Sequence, residues 1–256
     1  MNMNMNMRVT YVIGYRHRND RIINLRRVVE WLNQFQFVDI VIVEQDKFSK
    51  ISYLNLKAQH IFIKSDKPYN RSWAFNVALK RCKTPVIIFG DSDIIMDPQE
   101  FTNAVNQINN YDVVSPYSIV LDLNPDENNL PINMLPQIKR SGRGENDNQK
   151  INLCGGIVIF RTESALKLAG FCESFEGWGG EDDFQTYKVK KIGLSYYEMP
   201  YRCYHLWHQK EQIDMTNYQK TIQMLQQLVT LDENQLKSHI NATINKIGSL
   251  NKYTTI

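Results

Sequence analysis

No apolar run in the chain approaches the ~20 residues that a bilayer-spanning helix requires. Its first residues, Met-Asn three times over, contain no apolar stretch, so no secretory signal is expected there. Cysteine is scarce. Cys82, Cys154, Cys172 and Cys203 form neither a Cys-x-x-Cys pair nor a dense framework, which argues against a zinc site or a disulfide scaffold and fits buried thiols in a reducing compartment. A formal net charge of +3 gives no reason to expect nucleic acid as a partner. Internal repeats are absent, as is any linker that would cut the chain in two. The expectation is a cytoplasmic protein, with peripheral association at the inner face of a membrane left to a partner or lipid. At 256 residues and 43% apolar composition, the chain can bury a sizeable core.

Hydrophobic periodicity supplies the elements. Val9 to Gly14, Val38 to Val43, Ile61 to Ile63 and Val86 to Phe89 read as strands. Between them, Ile22, Leu25, Val28, Val29 and Leu32 recur at helical spacing over about 20–35. A second helix is expected over about 70–81 behind Asn70 as N-cap, and a third over about 98–109 with Pro98 in its first turn. This alternation predicts an α/β fold with a mostly parallel sheet flanked by helices. Residues 122–150, rich in Asn and Pro and carrying Lys139-Arg-Ser-Gly-Arg-Gly144, read as a long irregular loop, either a mobile lid over the site or a passive insertion. Ile157 to Phe160 resumes as a strand, and Glu163 to Ala169 and Asp182 to Lys191 as helices. Two more helices are expected over about 214–230 and 233–247. The resulting organisation is one transferase-sized domain over 1–210 with a C-terminal helical extension, 211–256, packed on it.

Chemistry concentrates at strand ends. Asp91 and Asp93 follow Val86 to Phe89 after a permissive glycine, where ligands bind in open α/β sheets. Two hard oxygen donors there suit a divalent cation that also holds phosphates. A second acidic cluster, Glu181-Asp182-Asp183, follows Trp178-Gly-Gly180, and His205 and His208 come later still. Arg16 and Arg18 directly follow the first strand and are candidates for phosphate contact. Arg26 and Arg27 read as a solvated helix face.

The order Tyr15-Arg-His-Arg18, Tyr69-Asn-Arg71 with Asn76, Phe89-Gly-Asp-Ser-Asp93, Cys154-Gly-Gly156, Gly170-Phe171 and Gly177-Trp-Gly-Gly-Glu-Asp-Asp183 resembles the β-1,4-galactosyltransferase family. The segment Cys203-Tyr-His-Leu-Trp-His208 is similar to that family's closing metal-ligand stretch. Chondroitin-polymerase transferase domains and polypeptide N-acetylgalactosaminyltransferases share parts of the pattern. The resemblance covers about residues 8–208. It implies a GT-A fold, a UDP-sugar donor, Mn²⁺ or another divalent cation, a glycan or lipid-linked glycan acceptor, and inversion at the anomeric carbon. On the donor side it places Arg16, Arg18, Asp46, Arg71 and Asp91. Asp93 and His208 would hold the metal, with His205 a second imidazole where the galactosyltransferases have methionine. Asp182 would be the general base, and Trp178, Gly180, Glu181 and Asp183 would seat the acceptor.

Blander readings stand beside these. The acidic triplet is also a good helix start, Trp178 also fits a core, and both histidines also fit structural hydrogen bonds. The leading function is an inverting, metal-dependent transfer of a hexose or N-acetylhexosamine, in bacterial surface polysaccharide synthesis. The alternatives are a non-catalytic nucleotide-sugar or glycan-binding protein and a metal-dependent nucleotide-diphosphate hydrolase, although the hydrolase would call for a denser His/Asp set than this chain offers.

Overall fold

A computed structural model describes residues 7–145, 151–210 and 212–253. The chain opens with β1 (Val9–Tyr15), α1 (Arg21–Leu32), β2 (Val38–Asp46), β3 (Gln59–Lys64), α2 (Arg71–Leu79) and β4 (Val86–Gly90). It continues through β5 (Ile94–Met96), α3 (Pro98–Gln107), β6 (Val113–Ser115), β7 (Ile119–Asp122), β8 (Ile157–Arg161) and α4 (Thr162–Lys167). The last elements are α5 (Glu181–Ile192), β9 (Tyr196–Glu198), β10 (Arg202–His205), α6 (Met215–Leu228) and α7 (Glu233–Thr243). Among the described residues the main sheet runs β3-β2-β1-β4-β8-β6-β9, and a second, smaller sheet runs β5-β10-β7.

The first four strands are mutually parallel, with Val9 opposite both Val38 and Val86, so β1, β2 and β4 end along one edge. β8 departs from the parallel pattern and runs antiparallel between β4 and β6. Strand alternation divides the core into two layers. Val9, Tyr11 and Ile13 point to one face, where Leu25, Val28, Val29 and Leu32 of α1 and Phe101 of α3 cover them. Val12 points to the other, against Trp73, Phe75 and Val77 of α2, with Ile87 and Phe89 of β4 beside it. The C-terminal segment closes that second layer: Leu236, Ile240 and Ile247 are buried in it, and the Trp73 indole donates to the Ser249 carbonyl at 2.6 Å.

Several expectations change in three dimensions. The short strands β5, β6, β7 and β9 were not legible, because runs of three or four residues give little periodicity. The aromatic run Tyr201 to Trp207 reads as an extended entry with a turn possible around Leu206, and β10 lies within it. Arg27 is not on a solvated face. It is half-buried, donates to the Leu130 carbonyl, and burial pulls its pKa down. Within the irregular 122–150 region, residues 125–129 and 132–137 form two 3-10 turns, and Val120 pairs with Arg143 in an isolated bridge. Arg140 pairs with Glu127, Arg143 with Asp122, and the Arg202 side chain with Glu145, so these arginines are committed to holding the segment rather than to a ligand. The remainder of the expected lid, residues 146–150, lies outside the described residues.

α2 matters most for the site, because its first residue is Arg71. Asn70, fully buried, caps it by accepting from the Trp73 amide at 2.8 Å, and its amide nitrogen donates to the Glu173 carbonyl and the Tyr253 hydroxyl. Asn70→Ala removes the cap and leaves buried partners unpaired. It should cost about 1–3 kcal/mol of unfolding free energy, measured by urea denaturation at constant m-value.

Candidate active site

The parallel register delivers the residues expected on the donor side to one edge. β1 hands the chain to Arg16 and Arg18, β2 ends at Asp46, and β4 ends just before Asp91. Arg16 Nε donates to the Gln45 carbonyl at 3.0 Å, and its guanidinium lies over the Tyr69 ring. Arg18 pairs with Asp20 at 3.2 Å. The Asp46 carboxylate accepts from the Lys47 amide at 2.7 Å.

Arg71 sits at the centre. Its Nε donates to Asp91 Oδ1 at 2.6 Å, and its Nη1 donates to Asp182 Oδ1. One buried guanidinium therefore joins the end of β4 to the start of α5, across about ninety residues of sequence. Burial pulls the Arg71 guanidinium down, and the charges of Asp182 and Asp91 more than restore it. The carboxylates respond to the same environment. Burial raises Asp91 against the pull of Arg71, and burial likewise raises Glu181. Asp182 is pushed up to about 7, by burial first and then by Glu181 and Asp91, against Arg71. A carboxyl group poised there can accept a proton near neutral pH.

α5 begins where Gly180 adopts φ of 92°, with Gly177 and Gly179 also left-handed at 81° and 106°. A side chain at Gly180 would meet the Phe175 ring, and one at Gly177 would meet Asn217. The turn therefore requires glycine twice over, by torsion and by space. Trp178 projects from it, 60% exposed, which removes the core-packing reading, and its ring lies 5.3 Å from that of Tyr218 in α6. Asp183 accepts from Asn152 at 2.9 Å.

The third group is Asp93, His205 and His208, each offering one ligand atom within 4.8 Å of the others. The smaller sheet builds it. β10 pairs antiparallel with β5, setting His205 opposite Ile94, and the Leu206 amide donates to the Asp93 carbonyl at 2.7 Å. Beyond the strand the chain turns back, so both imidazoles reach Asp93: His205 Nε2 lies 3.8 Å from Oδ1 and His208 Nε2 lies 3.5 Å from Oδ2. Each Nδ1 already faces an acceptor, Asp122 Oδ1 at 2.8 Å for His205 and the Gln209 carbonyl at 3.1 Å for His208. Both Nε2 lone pairs and a buried carboxylate thus converge, a donor set that fits a first-row divalent cation. Arg21 Nη1 stands 3.6 Å from the same carboxylate.

Sequence reasoning did not find Asp122, Asn152 or Tyr218. Asp122 is revealed only by β7–β10 pairing, and Tyr218 only by the docking of α6, so neither carries a local signal.

Residues 24–168 match the family described as glycosyl transferase family 2, and residues 146–211 match the one described as N-terminal domain of galactosyltransferase. No curated protein matches the chain. Among solved structures, S. aureus TarS in complex with UDP-GlcNAc is similar with a TM-score of 0.60 and 16% identity, over 97% of this chain and 74% of that one. GalNAc-T7 with UDP, GalNAc and Mn²⁺ gives a TM-score of 0.59 and 14% identity, over 99% of this chain and 57% of that one. A Drosophila β-1,4-galactosyltransferase 7 complex with manganese, UDP-Gal and xylobiose gives 0.48 and 14%, over 75% and 64%. The chain therefore spans less than two thirds of the length of the last two. Likeness at these identities is likeness of fold, and that fold is the GT-A type. The family match covers more than half of the 256 residues and includes the Asp91–Asp93 pair at the end of β4, so the chain belongs to glycosyl transferase family 2.

Proposed function

We propose that the protein moves a hexose or N-acetylhexosamine from a UDP-sugar to a glycan or lipid-linked glycan acceptor, with inversion, at a site holding Mn²⁺ or a similar cation. The single observation that supports this reading is the clustering of Asp93, His205 and His208, together with the Arg71 guanidinium that joins Asp91 to Asp182. The solved relatives bound to UDP, UDP-GlcNAc or UDP-Gal, two of them with manganese, support the donor class and the metal. The same proposal places this transfer in bacterial surface polysaccharide synthesis on the cytoplasmic side.

Asp93, His205 and His208 would hold the cation, which supplies positive charge to the diphosphate as it leaves. Arg16, Arg18, Asp46 and Asp91 line the nucleotide side. Arg71 keeps Asp91 and Asp182 in fixed relation, so the donor and acceptor halves are positioned together. The acceptor sugar stacks on Trp178, with Glu181 and Asp183 accepting from its other hydroxyls and the Gly180 turn allowing close approach. An acceptor hydroxyl attacks the anomeric carbon, the C–O bond to the diphosphate breaks, and the hydroxyl proton passes to Asp182. UDP departs with the bonding electron pair.

UDP binding should require the cation, and calorimetry should show it lost in EDTA. Asp93→Ala should bind UDP equally with and without Mn²⁺, whereas His208→Ala should weaken Mn²⁺ by about tenfold or more, or about 1.4 kcal/mol. Equal wild-type affinity in EDTA would remove the metal from the reading.

For the base, Asp182→Asn should still bind UDP-sugar but transfer about 10²–10⁴-fold more slowly. Because burial raises the Asp182 carboxyl to about 7, the reactive carboxylate is the high-pH form. Wild-type kcat/KM should fall as pH drops below about 7, and Asp182→Asn should lose that acidic limb. A rate within a few-fold of wild type, with the limb intact, would assign the proton to another group.

A further inference from the structure

We infer that Asp122 is a positioning residue for the metal site, holding His205 in the tautomer that presents Nε2 to the cation. The inference rests on the metal reading above and adds a residue that neither the sequence pattern nor that reading contains. Four observations carry it. The parallel pairing of β7 with β10 sets Asp122 directly beside His205, so the two side chains emerge from neighbouring strands on the same face. The contact is to the nitrogen remote from Asp93: His205 Nδ1 lies 2.8 Å from Asp122 Oδ1, while Nε2 faces Asp93. An ionised carboxylate can only accept, so Nδ1 carries the hydrogen and Nε2 is the nitrogen left to offer its lone pair to a bound cation. Finally, Asp122 is itself held, because Arg143 donates to it from Nε and Nη2, both at 2.9 Å.

His208 provides an internal comparison. Its Nδ1 faces a backbone carbonyl, which the Gln209 peptide supplies whatever the side chains nearby. Among the described residues, the His205 Nδ1 acceptor is instead a side chain from a different strand, Asp122, the last residue of β7. Without Asp122 the His205 ring is free to turn, or to place its hydrogen on the nitrogen that should bind metal. Partners of this kind fix ligand orientation and raise ligand basicity, and losing one typically weakens metal binding by about 10–100-fold. The same carboxylate also ties the metal-bearing strand to Arg143, whose backbone bridges to Val120 of β7.

The test is Mn²⁺ affinity of the full chain, measured with Mn²⁺ alone by the electron paramagnetic resonance signal of the free ion, together with the melting temperature of the metal-free protein. Asp122→Ala should weaken Mn²⁺ toward the upper end of that range. Asp122→Asn, whose amide oxygen still accepts from Nδ1, should lose about tenfold, and it is read alone if the alanine variant does not fold. His205→Ala should lose affinity too, and adding Asp122→Ala to it should cost no more, because both changes remove one ligand. A Kd within twofold of wild type in the folded Asp122 variants overturns the inference while leaving the metal site intact. So does an Asp122→Ala penalty that is as large in the His205→Ala background as in wild type. Absence of Mn²⁺ binding by the wild type overturns the metal reading and this inference with it.

Discussion

The contact on which the site depends is the buried Arg71 guanidinium between Asp91 and Asp182. Asp91 stands where β4 ends and Asp182 in the first turn of α5, and neither element touches the other through the main sheet ladder. The guanidinium is buried while both carboxylates keep partial access to solvent, and the arrangement holds because one cation serves two anions. Removing a partner from such a group leaves an uncompensated buried charge, which is strongly destabilising. Arg71 is therefore fixed by stability as well as by chemistry. It also sits at the first position of α2, where the Asn70 cap, the Trp73 indole bonded to the Ser249 carbonyl and the Tyr253 ring hold the helix in place. The precision of the two carboxylates is inherited from that anchoring.

Sequence pattern reached what is local and regular. The strands β1, β2 and β4, the helices α1, α2 and α3, and the Asn70 helix start all carry periodic or capping signals, and Pro98 occupies the expected position in α3. The carboxylate pair after β4 was legible because a buried apolar strand that ends in Gly-Asp-x-Asp places acids at a ligand-binding edge. What escaped was non-local. A three-residue strand such as β5 has no period to read, and its meaning comes only from pairing with β10, more than a hundred residues away. Lys139-Arg-Ser-Gly-Arg-Gly144 read as part of an irregular loop, a mobile lid or a passive insertion, and in the structure Arg140 and Arg143 pair with Glu127 and Asp122. Charge composition reveals that arginines are present; only the fold reveals which anions reach them first.

The smaller sheet explains how two histidines three residues apart reach one carboxylate. In a continuous strand, positions three apart face opposite sides. Here β10 ends at His205, and Leu206 is pinned by its amide to the Asp93 carbonyl, so the chain changes direction before His208. The same backbone bond that terminates the strand fixes the distance from both imidazoles to Asp93. The approach of both imidazoles to Asp93 thus leans on main-chain hydrogen bonding, which side-chain substitution disturbs little, while the His205 ring also meets the Asp122 side chain.

The acceptor side is built differently. Gly177, Gly179 and Gly180 all take left-handed torsions around Trp178, a costly choice in conformational entropy that persists only where the surroundings hold it. Those surroundings come largely from α6. Asn217 donates to the Glu176 carbonyl, Tyr218 lies against Trp178, and Thr221 donates to the Trp178 carbonyl at 3.4 Å. These residues lie beyond 211, outside both family matches, while Arg71, Asp91 and Asp93 lie within the glycosyl transferase family 2 match. The residues expected on the donor side are therefore framed by the sheet inside that match, and the turn that carries Trp178 is shaped by a helix outside it. Any change in α6 acts on the turn that starts α5, and through that turn on Asp182 and Arg71.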